Sequence, residues 1–101
     1  MGKRFEVSVP HSLTEEEALT RIKCLVNDLK AQYGDQVSNV TETWRGNKCD
    51  FSLKVKMFKL AGTIEVDDSS ARIAGTLPTG AGRFEGKAKS MIEERARKLL
   101  S

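Results

Sequence analysis

Residues Arg4 to Val9 alternate, with Phe5, Val7 and Val9 apolar and Glu6 and Ser8 polar, which is the period of a strand buried on one face. Pro10 cannot donate to a ladder and ends the run. The period then changes. Ala18, Ile22, Leu25, Val26, Leu29 and Tyr33 recur at helical spacing, which predicts one amphipathic helix. Thr14 and Glu17 form a Thr-x-x-Glu capping box at its start. Glu15, Glu16 and Glu17 suit the positive end of its dipole, and Gly34 supplies a left-handed stop.

Strands follow. Val40 to Arg45 reads as one, and Gly46-Asn47 is a two-residue turn joining antiparallel neighbours. Cys49, Phe51, Leu53, Val55 and Met57 alternate with Lys48, Asp50, Ser52, Lys54 and Lys56, so the first set should face a core and the second water. Leu60 to Val66 and Ala71 to Leu77 complete a meander around the turn residues Asp67-Asp68-Ser69-Ser70. Pro78, Gly80 and Gly82 break the pattern before a last helix with Phe84, Ala88, Met91, Ile92 and Leu99 on one side. The order β-α-β-β-β-β-α predicts a single α+β domain over residues 1–101, a curved antiparallel sheet with two helices on one face and the other face open. This topology resembles that of the TATA-box-binding-protein fold and, more loosely, the helix-grip folds. Such a likeness carries no function.

Composition narrows the function classes. A chain of 101 residues has room for one core. Its 17 basic and 14 acidic residues are interspersed, for a net charge of +3, so only weak attraction to polyanions is expected. No signal-like or membrane-length apolar run is visible, which makes the cytoplasm the expected compartment and a transmembrane segment unexpected. Cys24 and Cys49 have neither C-x-x-C nor zinc-ligand spacing, so reduced thiols are expected, with no metal and no cofactor.

Three groups of residues are candidates for chemistry. Gly80, Gly82, Arg83 and Lys87 lie in a glycine-rich run before the last helix, where backbone amides can cradle an anion. Ala81 and Ala88 stand where a phosphate-binding Walker A loop needs glycine and a hydroxyl, so a plain strand-to-helix linker is the competing reading. Lys48, Lys54 and Lys56, with Lys59, Arg45 and Arg72 nearby, could make a basic sheet surface for a partner, a ligand or weak nucleic-acid contact. Trp44 and Phe58 would be its stacking platforms. The alternative is a solvated face of cross-strand charge pairs with Glu65 and Thr63. His11, the sole histidine, sits at a strand-to-helix corner. Catalysis would need a nucleophile positioned beside it, whereas satisfying local backbone groups needs nothing further. No catalytic residue is assigned, and an enzyme is not expected.

Taken in order, Val9-Pro10-His11-Ser12-Leu13-Thr14 with Glu16-Glu17-Ala18, then Trp44-Arg45-Gly46-Asn47 with Phe51, then Gly62-Thr63-Ile64 with Val66, and the closing Lys98-Leu99-Leu100 resemble the polyhydroxyalkanoic acid system protein family. The resemblance spans nearly the whole chain. It implies a bacterial cytoplasmic protein associated with polyhydroxyalkanoate granules, in a family with no catalytic residues to carry over. The function expected is therefore a non-catalytic accessory or binding module that contacts a protein partner or the granule boundary through its open sheet face, Trp44 or the last helix. A homodimer is compatible with it. The alternatives are a small acyl-ligand carrier and a weak polyanion binder.

Overall fold

The structure, a computed structural model, describes residues 3–55, 57–77 and 82–101, without the side chains of residues 3, 77 and 82–85. The elements run β1 (Lys3–Pro10), α1 (Glu15–Ile22), α2 (Leu25–Tyr33), β2 (Val37–Arg45), β3 (Lys48–Val55), β4 (Phe58–Val66), β5 (Ser70–Leu77) and α3 (Gly82–Leu100). The five strands form one antiparallel sheet in the order β1-β5-β4-β3-β2. The α+β order agrees with the alternation read from the sequence.

The alternation decides which face is covered. Phe5, Val7 and Val9 of β1, Cys49, Phe51, Leu53 and Val55 of β3, Leu60, Ile64 and Val66 of β4, and Ala71 and Ile73 of β5 are all buried. They meet Ala18, Ile22, Leu25, Val26 and Leu29 from α1 and α2, and Ala88, Met91, Ile92, Ala96 and Leu100 from α3. Among the described residues no polar or charged side chain is buried, so area removed from water is what holds the layers together.

The helix expected between Pro10 and Gly34 is two helices. Thr14 caps α1, its Oγ1 accepting from the Glu17 amide at 3.1 Å. The Glu17 carboxylate does not complete the reciprocal box; it turns to Arg21, four residues on, at 3.6 Å. At Lys23 and Cys24 the ladder tightens to a Cys24 N–H to Arg21 carbonyl bond of 3.1 Å, and the axis breaks. α1 packs on β4 and α3, whereas α2 packs on β2 and α3. A straight rod could not follow a twisted sheet across that distance. Gly34, at φ 57°, ends α2.

Two side chains fasten α3 to this pair. Arg95 Nε donates to Asp28 Oδ2 of α2 at 2.5 Å, with both side chains largely covered. Arg21 Nη1 of α1 donates to the carbonyl oxygens of Leu99 and Ser101 at 3.2 and 3.0 Å, satisfying acceptors that a helix C-terminus leaves open. The apolar stripe of α3 is close to expectation, except that Leu100 is buried and Leu99 only half-buried. The Phe84 side chain, expected on that stripe, lies outside the described residues.

One row across the sheet has an unusual composition. Phe5 pairs with Gly75, Gly75 with Gly62, and Gly62 with Phe51. A Cβ on Gly75 would stand 2.7 and 2.8 Å from Cζ and Cε1 of Phe5, and one on Gly62 would land on the carbonyl oxygen of Ala74. Two phenylalanines thus flank two glycines, with the Phe5 ring filling the space at Gly75 and the backbone of β5 filling it at Gly62. Glycine in a strand interior marks this kind of close approach or bend.

Met57 departs from the expected face. The alternation puts it inward with Val55, yet it is 78% exposed. Strand β3 ends at Val55, which pairs with Phe58 of β4, so the period-two rule stops before reaching Met57. Strand β2 also starts earlier than expected, at Val37. Its register shifts between Ser38 and Thr41, where Asn39 takes a φ of 51°, the signature of a bulge.

Candidate functional site: the open sheet face

Because the helices cover one face, the alternate residues of every strand define the other. Arg4, Glu6 and Ser8 come from β1, Thr41, Thr43 and Arg45 from β2, and Lys48, Asp50, Ser52 and Lys54 from β3. Strand β4 adds Lys59, Ala61, Thr63 and Glu65, and β5 adds Arg72, Ala74 and Thr76. Among the described residues this face has no aromatic side chain and no large aliphatic one.

Its cations fall into two groups. Arg45 meets Asp50 at 2.5 Å, Lys48 meets Glu65 at 3.8 Å, and Arg72 meets Glu65 and Asp67 at 3.3 and 3.4 Å. These are exposed pairs, which solvent screens and which add little to stability, and they match the solvated reading of the face. Lys54 and Lys59 differ. They are partners in the β3–β4 register, directly opposite each other, and both are exposed. Lys56 lies outside the described residues.

Among the described residues, shallow depressions mark the face at three places. One of about 490 Å³ is lined by Arg45, Lys48, Cys49, Asp50, Thr63, Ile64 and Glu65. A second, of about 330 Å³, lies over the glycine row between Arg4 and Thr63. The third, of about 410 Å³, is lined by Asn39, Thr41, Ser52, Leu53, Lys54 and Lys59. Thr63 borders the first two.

The aromatic candidates stand on the other side of the sheet. Trp44 pairs with Cys49, and Phe58 follows the inward parity of Val55; both pack against the core cluster. Neither is therefore a stacking platform on the lysine face, which corrects the pairing of these aromatics with Lys48 and Lys54. Lys23 Nζ lies 5.7 Å from the centroid of the Trp44 ring, within cation–π range. The indole Nε1 is buried and has no hydrogen-bond acceptor.

The remaining candidates sit elsewhere. Gly82 is the first residue of α3 and Lys87 is exposed on it, so residues 82–87 of the glycine-rich run are helix; Gly80 and the Arg83 side chain lie outside the described residues. His11 uses both ring nitrogens on backbone. Nδ1 accepts from the Leu13 N–H at 3.1 Å, which leaves Nε2–H to donate to the Asp67 carbonyl at 2.9 Å. The imidazole thereby ties the β1–α1 corner to the β4–β5 turn. Cys49 is buried, and burial, with help from Glu42, pushes its thiol up from the ordinary value, away from nucleophilic thiolate. Cys24 is exposed. Among the described residues no cluster of three histidine, cysteine or carboxylate side chains could hold a metal ion, and no helix is long and apolar enough to cross a membrane.

Asp67 organises the β4–β5 turn. Its Oδ1 accepts from the amides of Ser69 and Ser70 at 2.8 and 2.7 Å, and from Ser69 Oγ at 3.1 Å. These bonds, Ser69 first, hold its carboxyl below the usual carboxylate range. A depressed native pKa contributes stability that is complete above the unfolded value of about 3.9 and is lost as pH falls through the native value. Urea midpoints should therefore decline below about pH 4, and Asp67→Ala should flatten that part of the profile while lowering the midpoint at neutral pH. An unchanged acid limb would remove Asp67 as its source.

Comparison with known proteins adds two findings. A family model described as "Putative polyhydroxyalkanoic acid system protein" matches residues 5–100. The crystal structure of Ara h 8.0201 superposes with a TM-score of 0.50 at 8% identity, covering 99% of each chain. At that identity the likeness concerns the fold alone. No curated protein matches the chain.

Proposed function

The chain belongs to the polyhydroxyalkanoic acid system protein family, and from that membership we propose that it is a non-catalytic accessory protein of the cytoplasm that docks its open sheet face onto the protein coat of polyester granules. The observation that carries this is the character of that face. It is uncovered, bears interspersed charges and hydroxyls, and is marked by depressions that Thr63 borders. Adsorption to bare polyester calls for a contiguous apolar patch. The described residues offer Met57 as their exposed large hydrophobic side chain, and one side chain is not a patch. A polar protein surface is the better complement.

The acyl-carrier reading has less behind it. The described side chains between sheet and helices form one packed cluster.

Co-sedimentation separates the possibilities. The protein should pellet with native, protein-coated granules and stay in the supernatant with granules stripped of their coat. Thr63→Arg, at an exposed position in the middle of the face, should weaken pelleting without altering the circular dichroism spectrum. Equal binding to stripped granules, or full binding by Thr63→Arg, would refute docking through this face.

A further inference from the structure

From the depression lined by Asn39, Thr41, Ser52, Lys54 and Lys59 we propose a second, separate site on the sheet: a binding site for a phosphate group, held between the ammonium groups of Lys54 and Lys59.

Three observations converge on it. Lys54 and Lys59 are directly opposite in the β3–β4 register. Cross-strand partners on one face stand close enough for their side chains to interact. Like charges so placed repel and destabilise a sheet. The neighbouring cations on this face, Arg45, Lys48 and Arg72, each have a carboxylate within 4 Å, whereas no carboxylate is among the residues lining this depression.

The other lining groups can donate. Thr41 Oγ1 and Ser52 Oγ are 2.6 Å apart, and because one hydroxyl needs to donate only once, the second proton of the pair is available to a ligand. Asn39 reaches the depression because the bulge sets it at a φ of 51°, and its amide adds two further N–H groups. Two point charges with rotatable donors, backed by hydroxyls, suit a tetrahedral dianion; a planar carboxylate is better matched by a guanidinium fork. A phosphate dianion also neutralises both lysines at once. The site is open to solvent, so millimolar affinity is expected. It is independent of granule docking, and either can fail while the other stands.

Backbone amide resonances would be followed during titration with inorganic phosphate and with adenosine monophosphate, against sodium chloride of matched ionic strength. Saturable shifts should be confined to Asn39, Thr41, Ser52, Lys54 and Lys59 and should survive about 0.15 M salt. Equal responses to both ligands would identify the phosphate group alone as what is recognised. A stronger response to the nucleotide would identify an organic phosphate ester as the source. Lys54→Gln and Lys59→Gln should each weaken binding about tenfold, and Lys87→Gln should leave it unchanged. In phosphate-free buffer of low ionic strength the same two variants should melt higher than the parent, because repulsion has been removed. Shifts spread over all lysines, shifts reproduced by chloride, or a lower melting temperature for Lys54→Gln would overturn the site.

Discussion

Gly62→Ala is expected to lower the unfolding free energy by about 3 kcal/mol or more, a large share of the roughly 5 to 15 kcal/mol that a domain of this size has in total. The methyl group would land on the carbonyl oxygen of Ala74. That oxygen belongs to a backbone paired on both sides, to β1 and to β4, so relief requires β4 and β5 to separate. In midpoint terms the loss is roughly 12 to 24 °C. Gly86→Ala provides the control. Nothing lies within 4 Å of a Cβ at Gly86, which is exposed inside α3, so replacing glycine by the better helix former should add about 0.5 to 1 kcal/mol. Urea denaturation of both variants measures the contrast. A cost below about 1 kcal/mol for Gly62→Ala would mean that β4 and β5 do not approach as described.

Leu53→Ala and Met57→Ala form the second test, because the sequence pattern puts both residues on the same buried side. Leu53 is 2% exposed in the middle of β3, between Leu60 on β4 and the core beneath. Its truncation should cost about 2 to 5 kcal/mol, as lost transfer energy plus a residual cavity. Met57 lies past the end of the strand and 78% in solvent, so its truncation should change stability by less than about 0.5 kcal/mol. Equal losses at the two positions would place Met57 in the core after all and extend β3 past Val55.

These two positions also show how far pattern reading reaches. Alternation identified every buried residue of β1 and β3 because one face of each is covered along its length. It failed at Met57, where the hairpin turns, because periodicity has no term for where a strand stops. The break at Lys23 and Cys24 was likewise invisible. Ala18, Ile22, Leu25 and Val26 keep helical spacing through it, and only the shape of the sheet beneath requires the bend. Glu17 was expected to close a capping box, but Arg21 was the stronger competitor for its carboxylate.

The candidate site was legible in kind and not in detail. The outward parity of Lys48 and Lys54 could be read directly, but their partners depend on register. Taking Val55-Lys56-Met57-Phe58 as a hairpin would have set Lys54 against Lys59, a signal present in the sequence and passed over in favour of a longer strand. Trp44 and Phe58 were joined to the lysines by composition; counting parity from Cys49 and Val55 separates them.

An interior without a charged group has a further meaning for how such a domain changes over time. Nothing in the described core depends on the sign of any residue outside it, and the surface ion pairs are each weak. The lysines and carboxylates of the open face can be exchanged or inverted with little effect on folding, so new binding preferences can be written there without first rescuing the scaffold. Relatives that share the buried rows but differ in the pattern of charges above them should fold alike and choose different partners.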